Sequence, residues 1–178
     1  MKTRNKHFIE TRDYVLNTFD KLSDIIVVRA TNPFDYITGS GTEESPYLIR
    51  NEDEWNYASL IPKKAGVYFK LMANLDFTGK TFYPYGNPNA HFKSNFDGNG
   101  YKISNASISG TDHVGIFGYN EGNIYDLDLE NISVSGRNYV GTVSSYNTGS
   151  IVGMNIKNVS VTGNQYVGGV AGDRKSVV

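Results

Sequence analysis

Apolar and polar residues alternate through most of this chain in short runs, and the runs return at a near-constant interval. The pattern Asn, apolar, small polar or acidic, apolar, hydroxyl, Gly occurs four times, as NLDFTG from Asn74, NASISG from Asn105, NISVSG from Asn131 and NVSVTG from Asn158. Its two apolar positions lie two apart and share one face of an extended strand, and the closing Gly supplies a turn. The starting Asn residues are 31, 26 and 27 positions apart (105−74, 131−105, 158−131), the signature of a stacked repeat. Val114-Gly115-Ile116-Phe117 returns as Val140-Gly141-Thr142-Val143 and as Val167-Gly168-Gly169-Val170. Tyr119, Asn120, Gly122 and Ile124 return as Tyr146, Asn147, Gly149 and Ile151, with one extra residue in the Ser144-Ser145-Tyr146 stretch. Each period therefore predicts three short strands separated by Gly, Asn and Ser turns, with no helix between them.

Three strands and three turns in 26–27 residues describe one coil of an all-β, right-handed parallel β-helix, a solenoid in which each strand pairs with its equivalent one coil above. Coils then rise by about 4.8 Å and equal positions form columns. Asn105, Asn131 and Asn158 are expected as a structural amide ladder at one corner, bonded to the stacked backbone. Ile108, Val134 and Val161 are expected as an aliphatic core column. Burying an aliphatic side chain contributes roughly 2 kcal/mol, whereas ordering the backbone costs about 1 kcal/mol or more per residue. No coil stands alone on those terms, and stability comes from stacked neighbours.

The VGIFG, VGTVS and VGGVAG segments, each followed by a strand of the NxSxxG type, resemble GLUG-motif repeats of bacterial surface proteins. Those repeats also occur in the β-helical region upstream of the catalytic domain of immunoglobulin A metallopeptidases. The stretch from Gly39 to Asn105, with GSGTEESPYLI, YFKLMANLDFTG and FDGNGYKISN, resembles the segment that precedes them. The resemblance implies a surface β-helical scaffold and says little of activity. The middle copy departs from it, with Thr142 and Ser144 in place of Gly, which implies a flatter or wider turn there.

The ends follow other patterns. Phe8, Val15, Phe19, Leu22 and Ile26 fit a helical face from about Asn5 to Ser23, and Ile25 to Val28 fits a strand. Residues 1–38 are thus expected as an N-terminal helical cap, or as an attachment segment through whose helix the chain oligomerises. Lys2, Arg4 and Lys6 are not followed by the apolar run of a secretion signal. Residues 39–172 form the GLUG-like β-helix. Within it, Asn51 caps a short helix to about Leu60, with Glu54 at the capping-box position. Val67 to Thr78 is a strand pair with Leu71, Ala73, Leu75 and Phe77 on one face, and residues 83–88 are an exposed loop. Residues 173–178 match a translated sequencing adapter and are expected to be a non-native tail, with the natural chain truncated before further repeats.

Composition changes this picture only by exclusion. A net charge of −1 offers no footprint for nucleic acid, zero Cys rules out disulfides and thiolate metal sites, and no run of eighteen apolar residues spans a bilayer. The histidines His7, His91 and His113 lack the HExxH spacing, and neither cofactor nor metal is expected. Asp126, Asp128 and Glu130 alternate with Leu127 and Leu129, as a solvated strand face or as a carboxylate triad for a cation or a glycan. Asp97-Gly98-Asn99-Gly100 fits a tight turn better than a calcium loop. His113, Tyr139 and Tyr166 each precede a Val-Gly pair and form a column that either stacks on sugars or on itself. The sequons at Asn105, Asn131 and Asn158 are by-products of the amide ladder. Asn120 is placed in a more exposed turn.

These observations point to a non-catalytic β-helical segment of an extracellular or cell-surface protein, used for adhesion to host or cell-surface glycans or proteins, or for display. Two other classes stay open at this stage: a phage tail fibre or spike, and a β-helical polysaccharide lyase or hydrolase.

Overall fold

A computed structural model describes residues 36–174 of the chain. The N-terminal helix and strand expected before Tyr36, and the last four residues of the tail, lie outside the described residues. The chain enters the stack with β1 (Tyr47–Ile49), runs through α1 (Glu52–Ser59), and continues with β2 (Tyr68–Leu71) and β3 (Leu75–Asp76). The next coil carries β4 (Asn95–Asp97), β5 (Lys102–Ser104), β6 (Ser107–Ser109), β7 (Asp112–Val114) and β8 (Tyr119–Asn120). It is followed by β9 (Asn123–Tyr125), β10 (Asp128–Glu130), β11 (Ser133–Ser135), β12 (Asn138–Gly141) and β13 (Ser144–Asn147). The last coil holds β14 (Ser150–Val152), β15 (Asn155–Lys157), β16 (Ser160–Thr162), β17 (Gln165–Gly168) and β18 (Ala171–Arg174).

Each strand pairs in parallel with its equivalents above and below. The deepest sheet is ordered β1-β2-β4-β9-β14, which makes a parallel β-solenoid of about four turns. The expected fold class is therefore the observed one, but a full coil carries five short strands rather than three. The reason lies in the backbone. Asp126 (φ 53°) and Asn131 (φ 55°) sit in left-handed conformations between β9 and β10 and between β10 and β11, where each splits a longer alternating run, and Tyr139 (φ 53°) makes the same kind of bend inside β12. Asn105, Asn158, His113 and Tyr166 repeat those corners in the neighbouring coils.

The columns follow this register. Ile108, Val134 and Val161 pair in one row, the first two buried and the last partly buried in the final coil. A second row runs Leu75, Ile103, Leu129, Ile156, so NLDFTG sits one sheet earlier than its sequence match to NASISG implied. The alternating pattern fits either sheet, and the irregular 31-residue spacing already set this copy apart. Asp173 pairs with Tyr146, so the stack continues into the first two residues after Gly172. Thr142 and Ser144 of the middle copy are fully buried, and the Ser144 hydroxyl lies 2.7 Å from both the Gly118 and Tyr146 carbonyls. They occupy the core side of their turn.

The first turns are closed by rings. Asn51 caps α1 by accepting the Glu54 N–H at 2.8 Å, and the Glu54 carboxylate accepts the Arg50 N–H at 2.7 Å. The capping box thus reaches one residue further back than its usual form. This anchoring presents Trp55 to the core, where it stacks on Tyr85 at 4.2 Å and meets Phe77, Phe82, Phe96 and Phe117. Tyr85 lies within the 83–88 stretch expected as an exposed loop, yet it is fully buried and its hydroxyl donates to the Trp55 carbonyl at 3.1 Å. The loop folds back because its ring fills the space that α1 leaves inside the coil. Lys63 finishes the helix by donating to the carbonyls of Ala58 at 2.6 Å, Ser59 at 3.1 Å and Ile61, with its ammonium over the Phe69 and Tyr85 rings. Burial pushes that ammonium down to about 7, and the carbonyls and ring faces oppose the shift by favouring the charged form.

Candidate functional site

The bend inside β7, β12 and β17 carries the rings singled out in the sequence. His113 stacks on Tyr139 with centroids 4.5 Å apart and planes 4° from parallel, and Tyr139 stacks on Tyr166 at 4.5 Å and 6°. All three sit at left-handed positions, a conformation that costs a non-Gly residue roughly 1–2 kcal/mol. The stack offsets that strain. Arg137 pairs with Asp112 at 2.7 Å beside the column and holds that carboxyl below its usual range.

A second column runs alongside and was not recognised from the sequence. His91 stacks on Tyr119 at 3.9 Å, Tyr119 meets Tyr146 at 4.5 Å with a 32° tilt, and His113 reaches across to Tyr119 at 6.4 Å. The 27-residue offset from Tyr119 to Tyr146 was the available signal. His91 gave none, because it belongs to the non-repeating segment after β3. Its ring is fixed by Glu121 and by the Pro88 carbonyl at 3.0 Å, and Glu121 also takes Lys93 at 3.0 Å. The hydrogen bonds from Lys93 and His91 hold the Glu121 carboxyl below its ordinary range.

This geometry limits what the rings can do. A face-to-face contact needs about 3.5–4.0 Å on each side, so rings 4.5 Å apart leave no space for a sugar between them. Only ring edges, phenol hydroxyls and the outer face of Tyr166, which is 52% exposed, remain available.

The amide ladder is present but differs in kind. Asn158 donates to Asn131 at 3.3 Å, Asn131 to Asn105 at 3.1 Å, and Asn105 to the Asp76 carboxylate at 2.8 Å. The bonds run side chain to side chain at an exposed corner rather than to stacked backbone. Asp76 stands where the register-shifted first copy has no Asn. The Asn105 amide and the Thr78 N–H and hydroxyl hold its carboxyl down to about 2. Asn120, expected in an exposed turn, is instead fully buried, donates to Asn147 at 2.6 Å and accepts the Gly122 N–H at 3.0 Å. The turn is drawn in because Gly122 stacks directly on the coil below; a Cβ there would lie 2.1 Å from the Ser94 carbonyl oxygen.

The carboxylates are partnered or dispersed. Asp128 and Glu130 share the outer face of β10, Glu130 paired with Lys102 and Asp128 bonded to Asn155, while Asp126 sits at the left-handed corner before that strand. A shallow groove of about 270 Å³ on this face is lined by both charge signs, including Lys102, Asp128, Glu130 and Lys157. In the Asp97 turn, Asp97 accepts the Asn99 N–H at 2.7 Å and pairs with Lys70. Among the described residues, no group of three or more His, Asp or Glu could hold a metal, and no helix is long and apolar enough to cross a membrane.

No protein-family model matches the chain. Halomucin of Haloquadratum walsbyi is 34% identical over 60% of the chain, and a candidate Gly-rich membrane protein of Evansella cellulosilytica is 33% identical over 45%. The matched regions span 1% and 10% of those relatives' own lengths. Among solved structures, a candidate immunoglobulin A1 protease from Bacteroides ovatus superposes with a TM-score of 0.61 at 24% identity, over 78% of this chain and 56% of that one. The likeness is one of fold, and the chain is a parallel β-solenoid similar in sequence to short stretches of much longer proteins.

Proposed function

We propose that this solenoid is a non-catalytic segment of a surface-exposed protein of the GLUG-repeat type, and that it serves as a rigid spacer that displays other parts. The observation that carries the reading is the self-covering ring column, in which the faces between His113, Tyr139 and Tyr166 are already occupied by the neighbouring rings. The relatives named as a mucin and as a membrane protein support a place at the cell surface. Adhesion to a glycan is the second form of this reading, favoured by the open outer face of Tyr166.

A glycan array probed with the purified chain separates the two. The spacer reading expects no specific binding. A glycan that binds, and whose binding disappears in Tyr139→Ala with Tyr166→Ala while the circular dichroism spectrum is kept, makes the segment an adhesin. Release of new reducing ends from a polysaccharide panel would overturn the non-catalytic reading altogether.

A further inference from the structure

Two pairs of tyrosines bridge neighbouring coils. Tyr119 of β8 lies in register with Tyr146 of β13, and Tyr139 of β12 lies one coil below Tyr166 of β17, each pair with ring centroids 4.5 Å apart. In both pairs the phenols are neighbours as well as the rings. Burial raises Tyr119 and Tyr139 above their ordinary range, and the partner phenol of each adds to the rise. Parallel, registered strands point both side chains of a pair the same way, which brings the ring carbons beside the hydroxyls next to one another. Tyr166 is open to solvent and Tyr139, Tyr119 and Tyr146 are partly exposed, so an oxidant can reach one member and the electron hole can pass to the other. The chain has no cysteine, so no disulfide can tie one coil to the next.

The geometry points to Tyr119–Tyr146 and Tyr139–Tyr166 as sites of oxidative dityrosine cross-linking, two covalent staples that would tie three successive coils together. The co-reactant is hydrogen peroxide acting through a haem peroxidase. Each phenol gives up one electron to the oxidised peroxidase and one proton to solvent. The two ring radicals join through a carbon–carbon bond between the positions beside their hydroxyls. The hydrogen displaced from each of those carbons then returns to its own oxygen and restores the phenol. In sum, two tyrosines and one hydrogen peroxide give one dityrosine and two waters. Each staple removes two hydrogens from the chain. Face-stacked rings must swing outward as the bond forms, and both pairs lie on the surface where that motion is open to them.

The test is to treat the full chain, dilute enough to stay monomeric, with horseradish peroxidase and limiting hydrogen peroxide, and to map the linked peptides by mass spectrometry. The expected map holds an intramolecular Tyr119–Tyr146 link and an intramolecular Tyr139–Tyr166 link, with dityrosine fluorescence and a raised unfolding temperature. Tyr166→Phe keeps the stacked ring but lacks the phenol, so it should lose the second link alone. Tyr146→Phe should lose the first alone, and the double variant nearly all of the fluorescence. Links formed only between molecules, or confined to the stacked Tyr36–Tyr57 pair beside the helix (centroids 4.3 Å apart), would overturn the assignment. So would undiminished fluorescence in the double variant. The wild-type peptide map decides even where a variant fails to fold.

Discussion

The first turns of the solenoid and the later ones solve the same problem with different material. Around α1, the interior is filled by rings, most of them from segments that do not repeat: Trp55 from the helix and Phe77, Phe82, Tyr85 and Phe92 from the stretch after β3, joined by Phe69 of β2 and Phe96 of β4. Above them the interior is built from columns of Ile, Leu and Val, with small polar residues such as Thr142, Ser144 and Asn120 at the turns. A repeating coil can hand each position the same neighbour above and below, so modest side chains suffice. Among the described residues no coil stacks beneath the base, and there the interior is closed by bulk.

If this contrast is right, the largest single loss should come from the base. Trp55→Ala removes the ring on which five others pack and should destabilise by about 3–5 kcal/mol. Because Trp55 is the single tryptophan, the urea midpoint must be followed by circular dichroism. A loss under about 1 kcal/mol would mean that the other rings close the base without it.

The two asparagine columns sharpen the comparison inside the repeat. Asn120→Ala strands the Asn147 amide and the Gly122 N–H in a dry turn and should cost about 1–3 kcal/mol. Asn131→Gly keeps the left-handed corner and loses only exposed amide bonds, so its cost should stay near 1 kcal/mol or below. Equal denaturation midpoints for the two variants would erase the distinction between buried and exposed ladders.

The ring corner yields a smaller and oppositely signed difference. Both Tyr139→Ala and Tyr139→Gly remove the stack, but only Gly relieves the left-handed strain. Tyr139→Gly should therefore be the more stable of the two by up to about 1 kcal/mol. A more stable Ala variant would show that the corner relaxes once the ring is gone.

The smallest effect concerns pH. Asp76, at the foot of the exposed ladder, has its carboxyl held down to about 2 from 3.8, so its contribution is full above the unfolded value and fades as pH falls through 2. Asp76→Asn should flatten that last acid limb of a thermal-unfolding series, with a slightly lowered midpoint near pH 7 that converges on the wild-type value at the acid end. An identical acid limb in the variant would mean that the Asn105 amide bond exerts no hold on the carboxylate.

The same contrast explains what could be read from the sequence. The columns of Ile108, Val134 and Val161 were legible because the period repeats both spacing and chemistry. The five-strand division was not, since the left-handed corners that separate the strands, at Asp126 and Asn131, carry neither Gly nor Pro to mark a break in the run. Tyr85 was missed for a related cause. A Pro- and Gly-rich stretch signals a turn, but burial of its ring is set by the empty space left by α1, which lies far away along the chain. Of the ring site, one column followed from the period. The other needed His91, which no repeat announces. The shift of NLDFTG into the earlier sheet was hidden because a two-residue alternation satisfies two sheets equally well.

The arrangement of the ladders also has a mechanical meaning. In this stack the strands lie across the axis and their hydrogen bonds lie along it, so tension applied along the axis pulls directly on those bonds. The five short ladders of a single coil-to-coil contact share the load, and once they part, only the next contact remains to resist. A released coil of about 27 residues supplies on the order of 90 Å of extended chain in place of a rise of about 4.8 Å. Under load the segment would lengthen in steps of one coil, each step absorbing work and each reversible while the base stays closed.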